Sequence, residues 1–210
     1  FFGAKEKMSE RNWRHKDMMM DKRDQKPSPS LIPPHGGYRN LKSYQTAEIV
    51  YDATVVFCNR FIDKRSRTYD QMVQAARSGK QNIAEGSMAS GTSKKTELKL
   101  IGVARASLEE LLLDYQDFLR QKGLSLWGKD HEQAQKIRAL AHEKNRSYGT
   151  YKTYIEASPP ETAANTLICL INQANYLLDQ QLRQLEKQFL EEGGFTERLY
   201  QARSQARKMK

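Results

Sequence analysis

Three observations predict an all-α chain, an up-and-down four-helix bundle. Apolar residues recur at three- and four-residue spacing over several long stretches, whereas strands would show a spacing of two. With 6 Pro, 12 Gly and 38% hydrophobic residues among 210, the composition suits one helical domain with polar ends. The two longest stretches carry more apolar positions than a two-per-heptad seam requires, which favours a globular bundle over an elongated coiled coil.

In chain order, residues 1–37 are rich in Met, Lys, Asp, Ser and Pro and close on Pro33-Pro34-His35-Gly36-Gly37. They lack a sustained apolar period and are expected to form a disordered basic tail. The bundle is expected over 38–192. Its first helix runs from Asn40 to about Lys64 through Leu41, Tyr44, Ala47, Cys58 and neighbouring apolar positions. A second covers Thr68 to about Met88 and is lined by small residues, with Gly86 and Gly91 placed to weaken or end it. The third starts at a Thr92 or Ser93 N-cap, follows Leu98, Ile101, Leu108, Leu112, Tyr115 and Leu119, and stops at Gly123. Its roughly 30 residues would extend about 45 Å. Residues 123–159 differ in character and are expected to be an insertion packed on the bundle, with a polar helical stretch near 130–146 and a Tyr-rich segment before Pro159-Pro160. A long helix over Glu161–Glu192 then stops at Gly193-Gly194, leaving a basic C-terminal segment over 193–210.

The formal net charge is +10. Residues 1–30 contribute +3, residues 31–194 another +3 and residues 195–210 +4. Within the middle, residues 60–105 alone carry 10 basic and 4 acidic side chains. A basic field attracts polyanions and releases counterions from a phosphate backbone, so nucleic acid is the first partner class to consider. The alternative is a solvated surface that keeps the protein soluble. No apolar run approaches the roughly 18 to 20 residues a membrane span needs. The first residues, from Phe1 rather than a methionine, hold no apolar stretch resembling a signal peptide, and a cytoplasmic protein is expected.

Enzymatic motifs fail one by one. Arg77-Ser78-Gly79-Lys80 has the Gly-Lys pair of a phosphate-binding loop, but Gln74 and Gln81 stand where Gly and Ser or Thr are needed, in a helical rather than a strand-to-turn context. His15, His35, His131 and His142 follow no metal spacing, and no metal or cofactor is expected. Cys58, between Phe57 and Phe61, reads as a packing residue. Glu109, Glu110, Asp114 and Asp117 gather on the third helix without a Glu-x-x-His partner and read as a solvated or interface face. Asn82 and Glu85, three residues apart within Asn82-Ile83-Ala84-Glu85-Gly86, share a helix face and are expected to form a structural clamp between helices, beside small residues that admit a close neighbour.

That motif, with the Leu-x-x-Tyr start at Leu41, the Ala-x-x-Ser-Leu-x-Glu-Leu pattern from Ala104 to Leu111, and the 172–178 and 191–198 segments, resembles a bacterial four-helix-bundle family. Its members are encoded by intervening sequences in large-subunit ribosomal RNA genes, and the likeness is to the variant with a suffix region. That family also resembles the accessory variability determinant of diversity-generating retroelements, a basic ring-forming bundle. The resemblance implies a homopentameric ring that binds RNA and a reverse transcriptase. This chain departs from the pattern where family members carry Ser-Ile-Pro before the motif. It has Ser78-Gly79-Lys80-Gln81 instead, which loses a helix break and adds charge.

The leading expectation is a non-enzymatic, oligomeric RNA-binding adaptor, an accessory protein of a reverse transcriptase. It would hold RNA or DNA backbones through Arg65, Arg67, Arg77, Lys80, Lys94, Lys95 and Lys99, with Asn82, Glu85 and Gly86 as the structural motif. The competing expectation is a structural oligomer or protein-interaction module without nucleic-acid binding.

Overall fold

The computed structural model describes residues 31–208, and among them all regular structure is helical. A short 3-10 turn at Tyr38–Asn40 leads into α1 (Lys42–Phe61), α2 (Arg67–Ala89) and α3 (Lys94–Gln121). After these come α4 (Glu132–Ala139), a second 3-10 turn (Leu140–His142), α5 (Tyr148–Glu156), α6 (Pro160–Glu192) and α7 (Phe195–Lys208).

The helix ends follow local chemistry. Ser66 and Ser93 cap α2 and α3, their hydroxyls accepting from the Thr68 and Thr96 backbone N–H groups at 3.1 Å, which satisfies donors that a helix start leaves open. Pro160 occupies the first turn of α6, where its missing N–H costs nothing. Gly123 and Gly193 adopt φ of +64° and +68° just beyond α3 and α6, a conformation glycine enters without a Cβ penalty.

Four long helices enclose the core, α1 packing on α2, α2 on α3, α3 on α6 and α6 on α1. Contacts between α2 and α3 pair Gly79 with Leu108 and Gly86 with Ile101. Those between α3 and α6 pair Arg105 with Asp179 and Glu109 with Asn175. In both cases one number rises as the other falls, so neighbours run antiparallel. Across the diagonal, Tyr115 of α3 donates its hydroxyl to Thr54 Oγ1 of α1 at 3.1 Å. The Phe57 ring there lies 4.9 Å from Tyr115 and 5.0 Å from Phe118, edge-on to both.

The close approach of α2 to α3 rests on glycine. A Cβ on Gly79 would lie 2.6 Å from Leu108 Cδ2, and one on Gly86 would lie 3.3 Å from Ile101 Cδ1. Gly102, on the same α3, has open space where its Cβ would be. Alanine is favoured in a helix by about 1 kcal/mol over glycine, so the two substitutions are expected to diverge. Gly102→Ala should raise the melting midpoint, whereas Gly79→Ala should lower stability by about 1 to 3 kcal/mol because Leu108 is fully buried and must be displaced. A thermal melt of both variants checks this.

The 123–159 segment contributes to the same core, with Ile137, Tyr151 and Ile155 fully buried in it. Asn165 of α6, 1% exposed, accepts from the Trp127 backbone N–H and donates to the Ser125 carbonyl, both at 2.8 Å. Arg60 of α1 donates to the backbone carbonyls of Ile155 and Ser158. The Tyr-rich stretch, to which the sequence assigned no element, is the helix α5. It begins with a capping box between Ser147 and Thr150.

Of the expected tail, residues 1–30 lie outside the described residues. Gly36 packs against the end of α2, its N–H bonding to the Ser87 carbonyl at 3.1 Å. The C-terminal segment is helical as α7 through Lys208, and Met209 and Lys210 lie outside the described residues.

Candidate nucleic-acid interface

The seven basic residues read from the sequence do not form one cluster. Arg67 opens α2, and Lys94 and Lys95 open α3. Because α3 begins where α2 ends, these groups stand a whole α2 length apart, about 33 Å at 1.5 Å per residue. That is several Debye lengths at physiological salt. Arg77 falls between them. Arg65, Arg67, Arg77, Lys95 and Lys99 are exposed, and none makes an ion pair among the described residues. The five are therefore strung out along the length of the α2–α3 hairpin, a basic stripe with gaps rather than a patch.

Lys80 and Lys94 are engaged inside the fold. The Lys80 ammonium sits over the Tyr51 ring at 4.4 Å from its centroid, a cation–π contact. Lys94 pairs with Glu97 at 3.0 Å, with the two side chains only 17% and 9% exposed. Neutralised and sheltered in this way, Lys94 has little charge left for a phosphate.

The expected clamp is also corrected. Asn82 donates to the Ser78 carbonyl and hydroxyl of its own helix at 2.8 and 3.1 Å, and Ser78 Oγ meets Ser107 Oγ of α3 at 3.0 Å. Asn82 thus acts on α3 only through Ser78. Glu85 is exposed and has no hydrogen-bond or ionic partner among the described residues, because the helix rotation that buries Ile83 and Gly86 turns it outward. Glu85→Ala should change stability by less than about 0.5 kcal/mol, the scale of an unpartnered surface site, as urea unfolding would show. Gly86 lies at a second close approach of α2 to α3, where a Cβ would stand 3.3 Å from Ile101 Cδ1.

The carboxylates of α3 separate by environment. Glu109 is not merely solvated: it accepts from Arg105 at 2.6 Å and from Asn175 Nδ2 at 3.1 Å, while Arg105 reaches Asp179 at 3.2 Å. The result is a polar layer between α3 and α6. Glu110 and Asp117 are exposed. Asp114 has a buried Oδ2 without a partner, and burial, followed by the charges of Glu110 and Asp117, raises its pKa. A raised folded-state pKa means the charged form costs stability at neutral pH, and that cost fades as the pH falls and the group protonates. Asp114→Asn should accordingly raise the melting midpoint at pH 7, with the advantage shrinking toward pH 4.

Neither cysteine has the surroundings of a nucleophile. Burial pushes the Cys58 thiol up to about 12, with Asp114 adding to the effect, and burial also raises Cys169. Among the described residues, no group of three His, Cys, Asp or Glu side chains is placed to hold a metal ion, and no helix is long and apolar enough to cross a membrane.

The sequence reading missed a cleft of about 630 Å³ between the insertion and the outer face of α6. Its lining includes Lys42, Trp127, Lys129, Arg138, Arg146 and Tyr176, and no carboxylate. Positive charge in the insertion was visible in the sequence, but its convergence with the start of α1 and the middle of α6 depends on the tertiary fold. No family model, no curated protein and no solved structure matches the chain.

Proposed function

We propose that this chain is an up-and-down four-helix bundle that assembles into a ring and acts, without catalysis, as an RNA-binding adaptor, with a reverse transcriptase as its protein partner. The observation that carries the RNA-binding reading is the α2–α3 stripe: five exposed cations over about 33 Å, none in an ion pair among the described residues. Such a row suits a phosphate backbone better than a compact ligand. Tyr69 is the one aromatic residue between Arg65 and Lys99 in the sequence, and its hydroxyl is held by Asn59, so phosphate neutralisation should outweigh base readout. Ring assembly would repeat the stripe and add avidity. The test replaces Arg65, Arg67, Arg77, Lys95 and Lys99 with Gln and follows RNA retention across a salt series. An unchanged affinity and salt slope would remove the reading.

One observation favours the protein-interaction alternative. Val103 and Leu113, both on α3, are 39% and 55% exposed and give that helix an apolar outer element, as a protein interface would need. Salt separates the two readings, since an apolar interface responds weakly to it. Assembly is checked by light scattering at micromolar concentration, where a 24.3 kDa particle, the mass of one chain, would contradict the ring.

A further inference from the structure

We infer that the cleft between the insertion and α6 is a separate binding site for a nucleoside 5′-phosphate, either free or as an unpaired nucleotide of a strand. It shares no residue with the α2–α3 stripe and does not depend on it.

The argument begins with charge. Lys42, Lys129, Arg138 and Arg146 line the cleft, yet among the described residues none has a carboxylate partner, whereas seven ion pairs form elsewhere. Four converging cations without counter-charge repel one another and favour a bound anion. The guanidiniums are also fixed in place. Arg146 donates to Thr46 Oγ1 of α1 and to Gln173 Oε1 of α6, and Arg138 donates to the Lys129 carbonyl. Each keeps further N–H groups free for the fork geometry that suits phosphate. Gln173, also in the lining, has an Nε2 that is buried and without a partner, an additional donor that an acceptor in the cleft would satisfy.

The aromatic residues specify more than an anion. Trp127 and Tyr176 both line the cleft. Trp127 already stacks on the His131 ring at 4.7 Å and is pinned through its backbone to Asn165, eleven residues before Tyr176 and about 16 Å along α6, so Tyr176 is the ring left open to a base. Tyr176 is 64% exposed, and its ring has no stacking partner among the described residues. A base has a π-face for such rings, and the volume lies within the range that encloses small ligands. A planar base joined to a phosphate uses both features; inorganic phosphate or a neutral aromatic would use only one.

The test is calorimetric titration of the full chain with adenosine 5′-monophosphate, adenosine, inorganic phosphate and a 5′-phosphorylated hexaadenylate. Saturable binding of the monophosphate is expected, with adenosine and inorganic phosphate each at least about tenfold weaker. Tyr176→Ala and the pair Lys42→Gln with Lys129→Gln alter exposed side chains, so the fold should survive, as circular dichroism would check. Each is expected to weaken the monophosphate about tenfold. Equal affinity for monophosphate and hexamer identifies a free nucleotide. A hexamer advantage that persists when Arg65, Arg67, Arg77, Lys95 and Lys99 are Gln identifies a strand. Absence of saturable binding, equal binding of inorganic phosphate, or affinity unmoved in both cleft variants would overturn the proposal.

Discussion

Phe57→Ala is expected to cost about 3 to 5 kcal/mol of folding stability, the range for a buried aromatic truncated to alanine. Phe57 is fully buried, and its ring touches Phe61 on its own helix and Tyr115 and Phe118 on α3, with centroids 5.1, 4.9 and 5.0 Å away. It bridges the diagonal of the core, where α1 and α3 are not otherwise neighbours in the cycle of helices, so partial collapse cannot easily refill the space. The lost edge contacts add to the transfer term. For a chain of this size the melting midpoint should fall by about 10 °C, and urea unfolding should show a lower midpoint at unchanged slope. Leu113→Ala, at a side chain 55% exposed, is the internal comparison and should move little. A Phe57→Ala loss below about 1 kcal/mol would mean that the aromatic cluster repacks.

The contrast between these two leucine-rich and aromatic regions shows what apolar spacing conveys. Periodicity placed α1, α2, α3 and α6 to within about three residues, because a buried stripe leaves its imprint every three or four positions. Ser93, Gly123 and Gly193 were legible as boundaries for stereochemical reasons that act within one turn. The helix α5 was not, since Tyr148-Gly149-Thr150-Tyr151 has weak intrinsic helix preference. Its order comes from the Ser147 cap and from burying Tyr151 and Ile155 against α1 and α6, which is tertiary information.

Charge was the less legible quantity. Counting Lys and Arg over residues 60–105 treats the segment as a point, but a hairpin of two long helices spreads it along a line. Whether a cation is available then depends on partners one turn away or on another helix, as Glu97 and Tyr51 show for Lys94 and Lys80. The cleft inverts the problem. Lys42 stands far in sequence from Arg138 and Arg146, and only the packing of the 123–159 segment on the bundle brings them to one cleft.

Replacing Arg65, Arg67, Arg77, Lys95 and Lys99 with Gln is expected to lower affinity for single-stranded RNA by about a thousandfold near physiological salt. Each phosphate contact on a single strand contributes about 0.7 to the slope of log affinity against log salt, so five contacts give a slope near 3.5. Between about 0.15 M and the 1 M reference, that slope amounts to nearly three decades. The slope should itself fall by the same 3.5, which a general loss of structure would not reproduce so selectively; an unchanged melting midpoint and particle mass make the distinction firm. Partial variants add a geometric check. Arg65 and Arg67 lie at one end of α2, and Lys95 and Lys99 lie at the other, so each pair alone should remove about 1.4 from the slope on a long strand. On an oligonucleotide too short to span about 33 Å, only one end can be engaged at a time, and removing either pair should then cost much less. Equal losses on short and long strands would place the RNA elsewhere on the protein.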